Sequence, residues 1–403
     1  MTATLAEEML GRSIAAGEIT LPAMALRDDA IEHNLAVMAS LAQREGFLLA
    51  PHVKTTMCPE LFSRQLEAGA WGVTVANVAQ ARVAAEAGAG RILIANEVLS
   101  RPDAEWFVSV SRSVEVLALV DSADGVETLD AALQSAGCRR AVGMLVEIGA
   151  DGGRAGVRTR AEAHDVCRAV QAASNLRMAG VEGYEGAVGS HRTPADLAAV
   201  DGYLEELRAI TVELADAGCF DAQEPVLVSA GGSKFFDRVI SALGRDADFG
   251  GHATSLVLRS GCYIVHDHGL YEEVTPLGAN VAEADRLQPA IQVWAEVLSC
   301  PEPGLAIVGL GRRDASSDSG LPVLLAAVGR DERALRYDVS GQLVKLDDQH
   351  GYLTVDPDRS SFSVGDRLVF GISHPCTTFD KWREVLLIDQ QQRVVEVLQT
   401  RFH

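Results

Sequence analysis

Two short stretches of the sequence carry residue types that could do chemistry, and Lys54 stands in the first. It follows the apolar run "LLAP" and precedes "TTMCP". A lysine at the exit of a buried strand is partly desolvated, which lowers the pKa of its amine and makes it a nucleophile toward carbonyl groups. The position fits a solvated surface lysine equally well. The stretch therefore predicts a candidate Schiff-base lysine.

The second stretch is "SHPCTTFD" near the C-terminus, with His374 and Cys376 two residues apart. On an extended chain, side chains at this spacing point to one side and can share a metal ion. Imidazole with thiolate favours zinc over magnesium or manganese, which prefer oxygen ligands. Two protein ligands predict an open site that water and substrate complete. The structural alternative is a buried cysteine beside an ordinary His-Pro turn.

A third stretch, "SAGGSKFF", ends a predicted strand and begins a predicted helix. Backbone N–H groups at its glycines and the helix N-terminus would favour an anion such as phosphate. A plain strand-to-helix turn uses the same residues. A lysine together with a phosphate cradle suggests pyridoxal phosphate, whose aldehyde bonds the lysine.

These residues need elements that position them, and the chain alternates short apolar runs with Ala-rich segments of helical spacing. The runs are residues 24–26, 47–50, 72–75, 92–95, 116–120, 141–148, 178–184 and 226–229. Eight such units predict a (β/α)₈ barrel over residues 22–262, with a doubly wound open sheet as the alternative. The active site of a barrel lies at the carboxyl ends of its strands, where Lys54, Asn96, Asp121, Glu147 and Arg154 are placed.

Beyond residue 262 the chain has short strand-like runs broken by Gly, Pro and Asp. This pattern predicts a second, mostly antiparallel β domain over residues 263–403. Residues 1–21 are too short to fold alone and are expected to join it.

Composition excludes several classes of partner. The 403 residues carry a formal net charge of −21, which repels nucleic acid and anionic lipid. The first residues lack a signal-peptide pattern and no apolar run is long enough to span a membrane, so we expect a cytoplasmic protein. Seven scattered cysteines without CxxC spacing are expected to be reduced thiols.

Six motifs together resemble one family over nearly the whole chain, namely "PHVKTT", "DGGRAGV", "GYEG", "SAGGS", "LRSGCYIVHD" and "SHPCTTFDKW". They are similar to the fold-type III pyridoxal-phosphate enzymes of the D-threonine aldolase and D-serine dehydratase group. The resemblance implies an alanine-racemase-like barrel, a β domain that carries a metal pair, and a homodimer.

The resemblance also implies roles for single residues. Lys54 matches the lysine that holds the cofactor and acts as base, and Thr56 stands where the family commonly has histidine. The other implied cofactor residues are Arg154 and Tyr184 in the barrel mouth, with Tyr184 also catalytic, Ser229, Gly231 and Gly232 in the phosphate loop, and Gly261 and Tyr263 in a closing strand.

His374 and Cys376 match the zinc-binding His-x-Cys of the dehydratase branch, whereas the aldolase branch typically has His-x-Asp. The resemblance thus implies a zinc-dependent, D-serine dehydratase-like ammonia-lyase that converts a D-β-hydroxy amino acid to a 2-oxo acid and ammonia. The main alternative is a D-threonine or 3-hydroxy-D-aspartate aldolase with magnesium or manganese. A non-catalytic pyridoxal-phosphate protein and an alanine racemase-like isomerase are further alternatives.

Overall fold

The computed structural model describes residues 8–356, 358 and 360–402. These residues form two compact units. One contains residues 38–54 and 61–261, and the other contains the described residues up to 37, residues 55–60 and those from 262 onward. Within these described ranges no helix is both long enough and apolar enough to cross a lipid bilayer.

The unit that contains residues 262 onward is built on a mostly antiparallel sheet of nine described strands. They are β1 (Ala23–Arg27), β10 (Ile291–Glu302), β11 (Leu305–Val308), β12 (Val323–Val328), β13 (Gln342–Leu346), β14 (Gly351–Thr354), β15 (Arg367–Gly371), β16 (Glu384–Ile388) and β17 (Val394–Gln399). Their order is β13-β14-β11-β10-β1-β16-β17, and β15 pairs with both β10 and β12. Buried Trp294, Val369 and Ile388 belong to its core. This sheet confirms the predicted β domain.

The described residues before β1 also join this unit. The backbone N–H of Gly11 donates to the carbonyl of Val394 at 2.8 Å, and Ser13 forms a bridge with Arg393. Ile14 is fully buried in the same core. The short N-terminal segment is therefore stabilised by burial against the sheet, because it is too short to hold a core of its own.

The other unit is a barrel of eight described parallel strands. They are β2 (Leu48–Leu49), β3 (Val73–Val75), β4 (Arg91–Glu97), β5 (Glu115–Val120), β6 (Val142–Ile148), β7 (Leu176–Gly183), β8 (Val226–Ala230) and β9 (Thr254–Leu258). Neighbours pair from β3 through β9 in chain order, and β9 pairs with β2. The N–H of Trp71 donates to the carbonyl of Leu49 at 2.8 Å, and His52 bridges Thr74, which brings β2 and β3 together. The predicted alanine-racemase-like (β/α)₈ barrel is confirmed.

Helices alternate with these strands. They are α1 (Asp28–Glu45), α2 (Pro59–Glu67), α3 (Val78–Glu86), α4 (Arg101–Val110), α5 (Ala123–Ser135), α6 (Arg160–Ala172), α7 (Pro194–Asp216) and α8 (Phe236–Leu243), followed outside the barrel by α9 (Leu270–Val274) and α10 (Cys376–Phe379). Five begin after a Ser, Thr or Asn whose side chain accepts a hydrogen bond from the first turn, namely Asn77, Ser100, Ser122, Thr159 and Thr193. Such caps satisfy N–H groups that a helix leaves unpaired at its start.

One predicted barrel strand is wrong. Residues 24–26 were expected to be the first strand of the barrel, but β1 pairs antiparallel with β10 and parallel with β16 in the other sheet. The eighth barrel strand is β9 instead. Both segments are short and apolar, so hydrophobicity alone does not distinguish the sheet to which each belongs. All eight barrel strands lie within the predicted range of residues 22–262.

Candidate active site

Three cationic side chains follow the carboxyl ends of barrel strands. Lys54 lies in a 3₁₀ turn, Val53–Thr55, after β2, Arg154 lies in the loop after β6, and Arg259 directly follows β9. Burial lowers the pKa of His52 well below its usual value, and the charges of Lys54, Arg259 and Arg154 lower it further. The barrel mouth therefore has a positive region suited to a phosphate or a carboxylate. Lys54 itself is exposed, so the desolvation expected for its amine is not observed.

Three glutamates lie at the same end of the barrel. Glu97 ends β4, and its carboxyl group and that of Glu147 in β6 each influence the pKa of the other. Burial and the charge of Glu147 raise the pKa of Glu97 to about 7. Glu182 in β7 forms an ion pair with Arg259, and the two side chains are only 1% and 5% exposed. Glu147 was a predicted strand-end candidate, whereas the sequence reasoning missed Glu97, Glu182 and Arg259.

Arg154 and Tyr184 are brought together, as the resemblance implied. The Arg154 guanidinium lies 4.8 Å from the centroid of the Tyr184 ring, in cation–π geometry. The backbone N–H of Tyr184 donates to the hydroxyl of Tyr203 at 3.0 Å, and that hydroxyl donates to the carbonyl of Ile148 at 2.5 Å. Tyr203, which the sequence reasoning missed, thus links the ends of β6 and β7 and fixes the backbone beneath Tyr184.

The predicted phosphate loop follows β8, where Gly231 has a φ of +94°. The N–H groups of Gly231 and Gly232 donate to the two carboxylate oxygens of Glu185, at 3.0 and 2.7 Å. The buried hydroxyl of Ser229 donates to the carbonyl of Val257 at 3.2 Å. The loop lies where the sequence predicted it, but a side chain of the protein already accepts from the two glycine N–H groups. Glu185 stands inside the quoted motif "GYEG" and was not recognised.

Gly261 and Tyr263 do not lie in the closing strand that the resemblance implied. Strand β9 ends at Leu258, and Cys262–Ile264 form a 3₁₀ turn. A Cβ atom at position 261 would lie 2.3 Å from the carbonyl oxygen of His52, so only glycine allows the two backbone segments to approach. The strand assignment is wrong, because β9 ends at Leu258, before both residues.

The barrel residues fit a bound polar cofactor. Arg259 Nε, Glu182 Oε2 and His52 Nδ1 are buried and have no hydrogen-bond partner among the described residues. Buried polar groups are almost always hydrogen-bonded, and exceptions often mark a site for a ligand. With Lys54 at the same end of the barrel, this donor and acceptor set suits pyridoxal phosphate, which has a ring nitrogen, a phenolic oxygen and a phosphate.

His374 and Cys376 do not lie on an extended chain. Pro375 between them has helical dihedral angles, φ −59° and ψ −46°, and Cys376 begins the short helix α10. The predicted placement of both side chains on one side of an extended chain is therefore wrong, because side chains alternate in this way only along a strand. Proline fixes φ near the helical value, which favours the turn that forms here.

The ring of His374 is nevertheless oriented as a metal ligand would be. Its Nδ1 lies 2.8 Å from Asp318 Oδ2, and Ser316 Oγ donates to Asp318 Oδ1 at 2.5 Å. Thr377 also donates to this carboxylate, at 3.2 Å. When a carboxylate accepts from Nδ1–H, the lone pair of Nε2 is left for a metal ion. Asp318 thus holds the histidine in place.

Cys376 lies in a small group of thiols and hydroxyls. Its Sγ is 3.4 Å from Thr55 Oγ1 and 3.9 Å from the Sγ of Cys262. Across the described part of the chain, no three His, Cys, Asp or Glu side chains are arranged as a metal-binding group. The pair of ligands at 374 and 376 stays a prediction, and it would need water or substrate to complete a coordination sphere.

Comparisons with known proteins agree with this arrangement of elements. The family model "Alanine racemase, N-terminal domain" matches residues 26–234, just over half of the chain, and a model of a serine dehydratase domain matches residues 290–388. The solved structure of D-threonine aldolase from Filomicrobium marinum has a TM-score of 0.81 and 28% identity, covering 97% of each chain.

Three curated relatives are similar in sequence. D-threonine aldolase from Arthrobacter sp. is 26% identical over 90% of this chain and 87% of its own length. 3-hydroxy-D-aspartate aldolase from Paracoccus denitrificans (strain Pd 1222) is 27% identical over 91% and 88%. D-threo-3-hydroxyaspartate dehydratase from Delftia sp. (strain HT23) is 29% identical over 34% and 35%. With the barrel, the β domain and these matches, the chain belongs to the alanine racemase N-terminal domain family, in its fold-type III D-threonine aldolase and D-serine dehydratase group.

Proposed function

We propose that this protein is a pyridoxal-phosphate-dependent lyase that dehydrates a D-β-hydroxy amino acid to a 2-oxo acid and ammonia. The observation that carries the choice of reaction is the position of Cys376, two residues after His374. Asp318 orients the ring of this histidine. The family and the names of the relatives support the broader class, a pyridoxal-phosphate lyase for D-β-hydroxy amino acids. The proposal includes the homodimer and the cytoplasmic location predicted above.

The barrel residues would hold the cofactor, and the pair at 374 and 376 would hold zinc. Lys54 would be the attachment point, with Arg154 and Tyr184 beside the ring and the loop after β8 at the phosphate. Pyridoxal phosphate supplies an electron sink for the substrate Cα, and zinc supplies a Lewis acid for a hydroxyl group.

Within this frame, Lys54 acts as the base that removes the Cα proton. Its side chain is exposed and follows a barrel strand, at the same end of the barrel as Arg154 and Arg259. Loss of the Cα proton and of the β-hydroxyl as water leaves an enamine, which hydrolyses to the 2-oxo acid and ammonia. Arg154 and Arg259 make the mouth attractive to the substrate carboxylate.

Position 56 offers no histidine base to either reaction. Cleavage of the Cα–Cβ bond requires a base that removes the proton of the β-hydroxyl. Thr56 stands where the family commonly has histidine, and it is buried, with 2% exposure. Its hydroxyl does not accept a proton near neutral pH.

The second candidate is aldol cleavage to glycine and an aldehyde. It is favoured by the two aldolases described above, each matched over about nine-tenths of this chain, whereas the match to the dehydratase from Delftia sp. (strain HT23) covers a third of it. In this case His374 would still bind a metal ion, with magnesium or manganese in place of zinc.

Product analysis with D-threonine separates the two reactions. Protein loaded with pyridoxal phosphate and zinc should form 2-oxobutyrate and ammonia, and the Lys54→Ala variant should form neither. Glycine and acetaldehyde would instead identify an aldolase. Formation of L-allothreonine, by inversion at Cα alone, would identify an isomerase, and failure to convert both D-threonine and D-serine would refute a lyase for these substrates.

A further inference from the structure

The turn between β8 and α8 is held from both sides by two buried side chains. Glu185 accepts from the N–H groups of Gly231 and Gly232, at 3.0 and 2.7 Å. The hydroxyl of Ser260 lies 3.3 and 3.1 Å from the carbonyl oxygens of the same two glycines. Glu185 and Ser260 are both 0% exposed. The two N–H groups and the two carbonyl groups of these glycines are thus all hydrogen-bonded to side chains from other segments of the barrel.

The glycines themselves have little freedom to change. Gly231 has a φ of +94°, in the left-handed region that favours glycine, and a Cβ atom at position 232 would lie 2.8 Å from the Tyr184 ring. The turn therefore needs small residues, but small residues alone leave a backbone flexible. The side chains of Glu185 and Ser260 supply the constraint that glycine lacks.

This arrangement decides which donors a phosphate can use. A backbone N–H makes one good hydrogen bond, and those of Gly231 and Gly232 already point at a carboxylate. A phosphate on the same two groups would also face the buried Glu185 at close range, and like charges repel strongly there. The loop's donors for an anion must therefore come after Gly232, toward the start of α8 (Phe236–Leu243).

We propose that Glu185 is a positioning residue that fixes the glycine turn, so that the backbone after Gly232 is aimed at the phosphate of the cofactor. The inference rests on the proposed function insofar as that function requires pyridoxal phosphate. It predicts that Glu185 contributes to binding through the phosphate group and not through the rest of the cofactor.

Burial and hydrogen bonding act in opposite directions on this carboxyl group. Burial raises the pKa of Glu185, while the N–H groups of Gly231 and Gly232 and the charge of Arg259 oppose that rise. Glutamine keeps the size of the side chain but presents an NH₂ group to one of the two N–H donors. Glu185→Gln therefore breaks one hydrogen bond of the pair with little change in packing.

The test compares the affinity for pyridoxal phosphate with that for pyridoxal, which lacks the phosphate. Each compound is titrated into the wild type and into the variants Glu185→Gln, Glu185→Ala and Ser260→Ala. Binding is measured from the absorption of the bound ligand. Glu127→Gln on the exposed face of α5 is the matched control. We expect both Glu185 variants to lose about tenfold or more in affinity for pyridoxal phosphate and to keep their affinity for pyridoxal, with a smaller selective loss in Ser260→Ala.

Three results would overturn the inference. Unchanged or tighter binding of pyridoxal phosphate by Glu185→Gln would mean that the carboxylate does not aid the phosphate loop. Equal losses for both ligands in the Glu185 and Ser260 variants would mean a general role in folding. A wild type that binds neither compound would instead refute the proposed cofactor itself, whatever the variants do.

Discussion

Removing Arg259 should destabilise the barrel strongly, because it would leave Glu182 buried without its counter-charge. The two side chains are 5% and 1% exposed, and Arg259 also donates to the carbonyl of Gly183 at 2.8 Å. Breaking a buried pair from one side typically costs about 3–5 kcal/mol, since the remaining charge keeps its desolvation penalty. We expect a loss of this size for Arg259→Met, which keeps much of the volume and removes the charge.

The loss should depend on pH in a defined direction. Burial raises the pKa of Glu182 above its ordinary 4.5, and Arg259 and Arg154 oppose the rise. Without Arg259 the folded-state pKa rises further. A carboxyl group with a raised folded-state pKa stabilises the fold below its unfolded pKa, and this contribution is lost as pH rises through the folded pKa. Arg259→Met should therefore cost less near pH 5 than near pH 8.

Urea denaturation of the cofactor-free protein, followed by circular dichroism, measures this cost. Each transition is fitted separately, because a chain of two units need not unfold in one step. The double variant Glu182→Gln/Arg259→Met should recover much of the loss, since no buried charge is left unpaired. Arg101→Met is the control, because the ion pair of Arg101 and Glu105 is exposed, with 68% and 52% side-chain exposure. For this variant we expect a loss of less than about 1 kcal/mol in the free energy of unfolding. A loss below about 1 kcal/mol for Arg259→Met, or a double variant no milder than the single one, would refute the reasoning.

Three further predictions concern the cofactor and the metal. After borohydride reduction with pyridoxal phosphate, mass spectrometry should find the adduct on Lys54 and none in Lys54→Ala, while Lys234→Ala should keep it; an adduct in the Lys54 variant would contradict the assignment. Cys376→Ser should lose bound zinc, measured by metal analysis, but keep the cofactor, whereas Cys300→Ser, at an exposed thiol, should keep both. Asp318→Asn should weaken zinc binding about 10–100-fold, because the carboxylate that orients the histidine is lost, and unchanged affinity would remove that role.

The helices and most of the barrel could be predicted because their signals are local. Helix α6 (Arg160–Ala172) begins directly after Thr159, whose side chain forms a capping box with Glu162. Helix α7 (Pro194–Asp216) has proline in its first turn. Spacing, caps and proline act within a few residues, so a single sequence contains the information that fixes them.

What the sequence did not predict depends on distant partners. The segment Ala23–Arg27, apolar in its first four residues, resembles a barrel strand, and only its pairing with β10 and β16 assigns it to the other sheet. The role of Glu185 depends on glycines 46 and 47 residues away. The orientation of His374 depends on Asp318, 56 residues away. The position of a glutamate at a strand end indicates that its side chain can reach the barrel mouth. It does not indicate which group that side chain contacts.

The net charge of a chain predicts which large charged partners it repels better than it predicts the local charge at a binding site, and the barrel mouth shows why. The whole chain carries −21, yet its proposed substrate has a carboxylate and its proposed cofactor has a phosphate. Three of the local carboxyl groups are paired, hydrogen-bonded or partly neutral: Glu182 is paired with Arg259, Glu185 accepts from two backbone N–H groups, and the pKa of Glu97 is raised to about 7, which favours its neutral form. Lys54 and Arg154 then set the sign of the potential at the end of the barrel. An acidic surface repels polyanions at long range, where the summed charge acts, while a small anion within a Debye length of the mouth experiences the local cations.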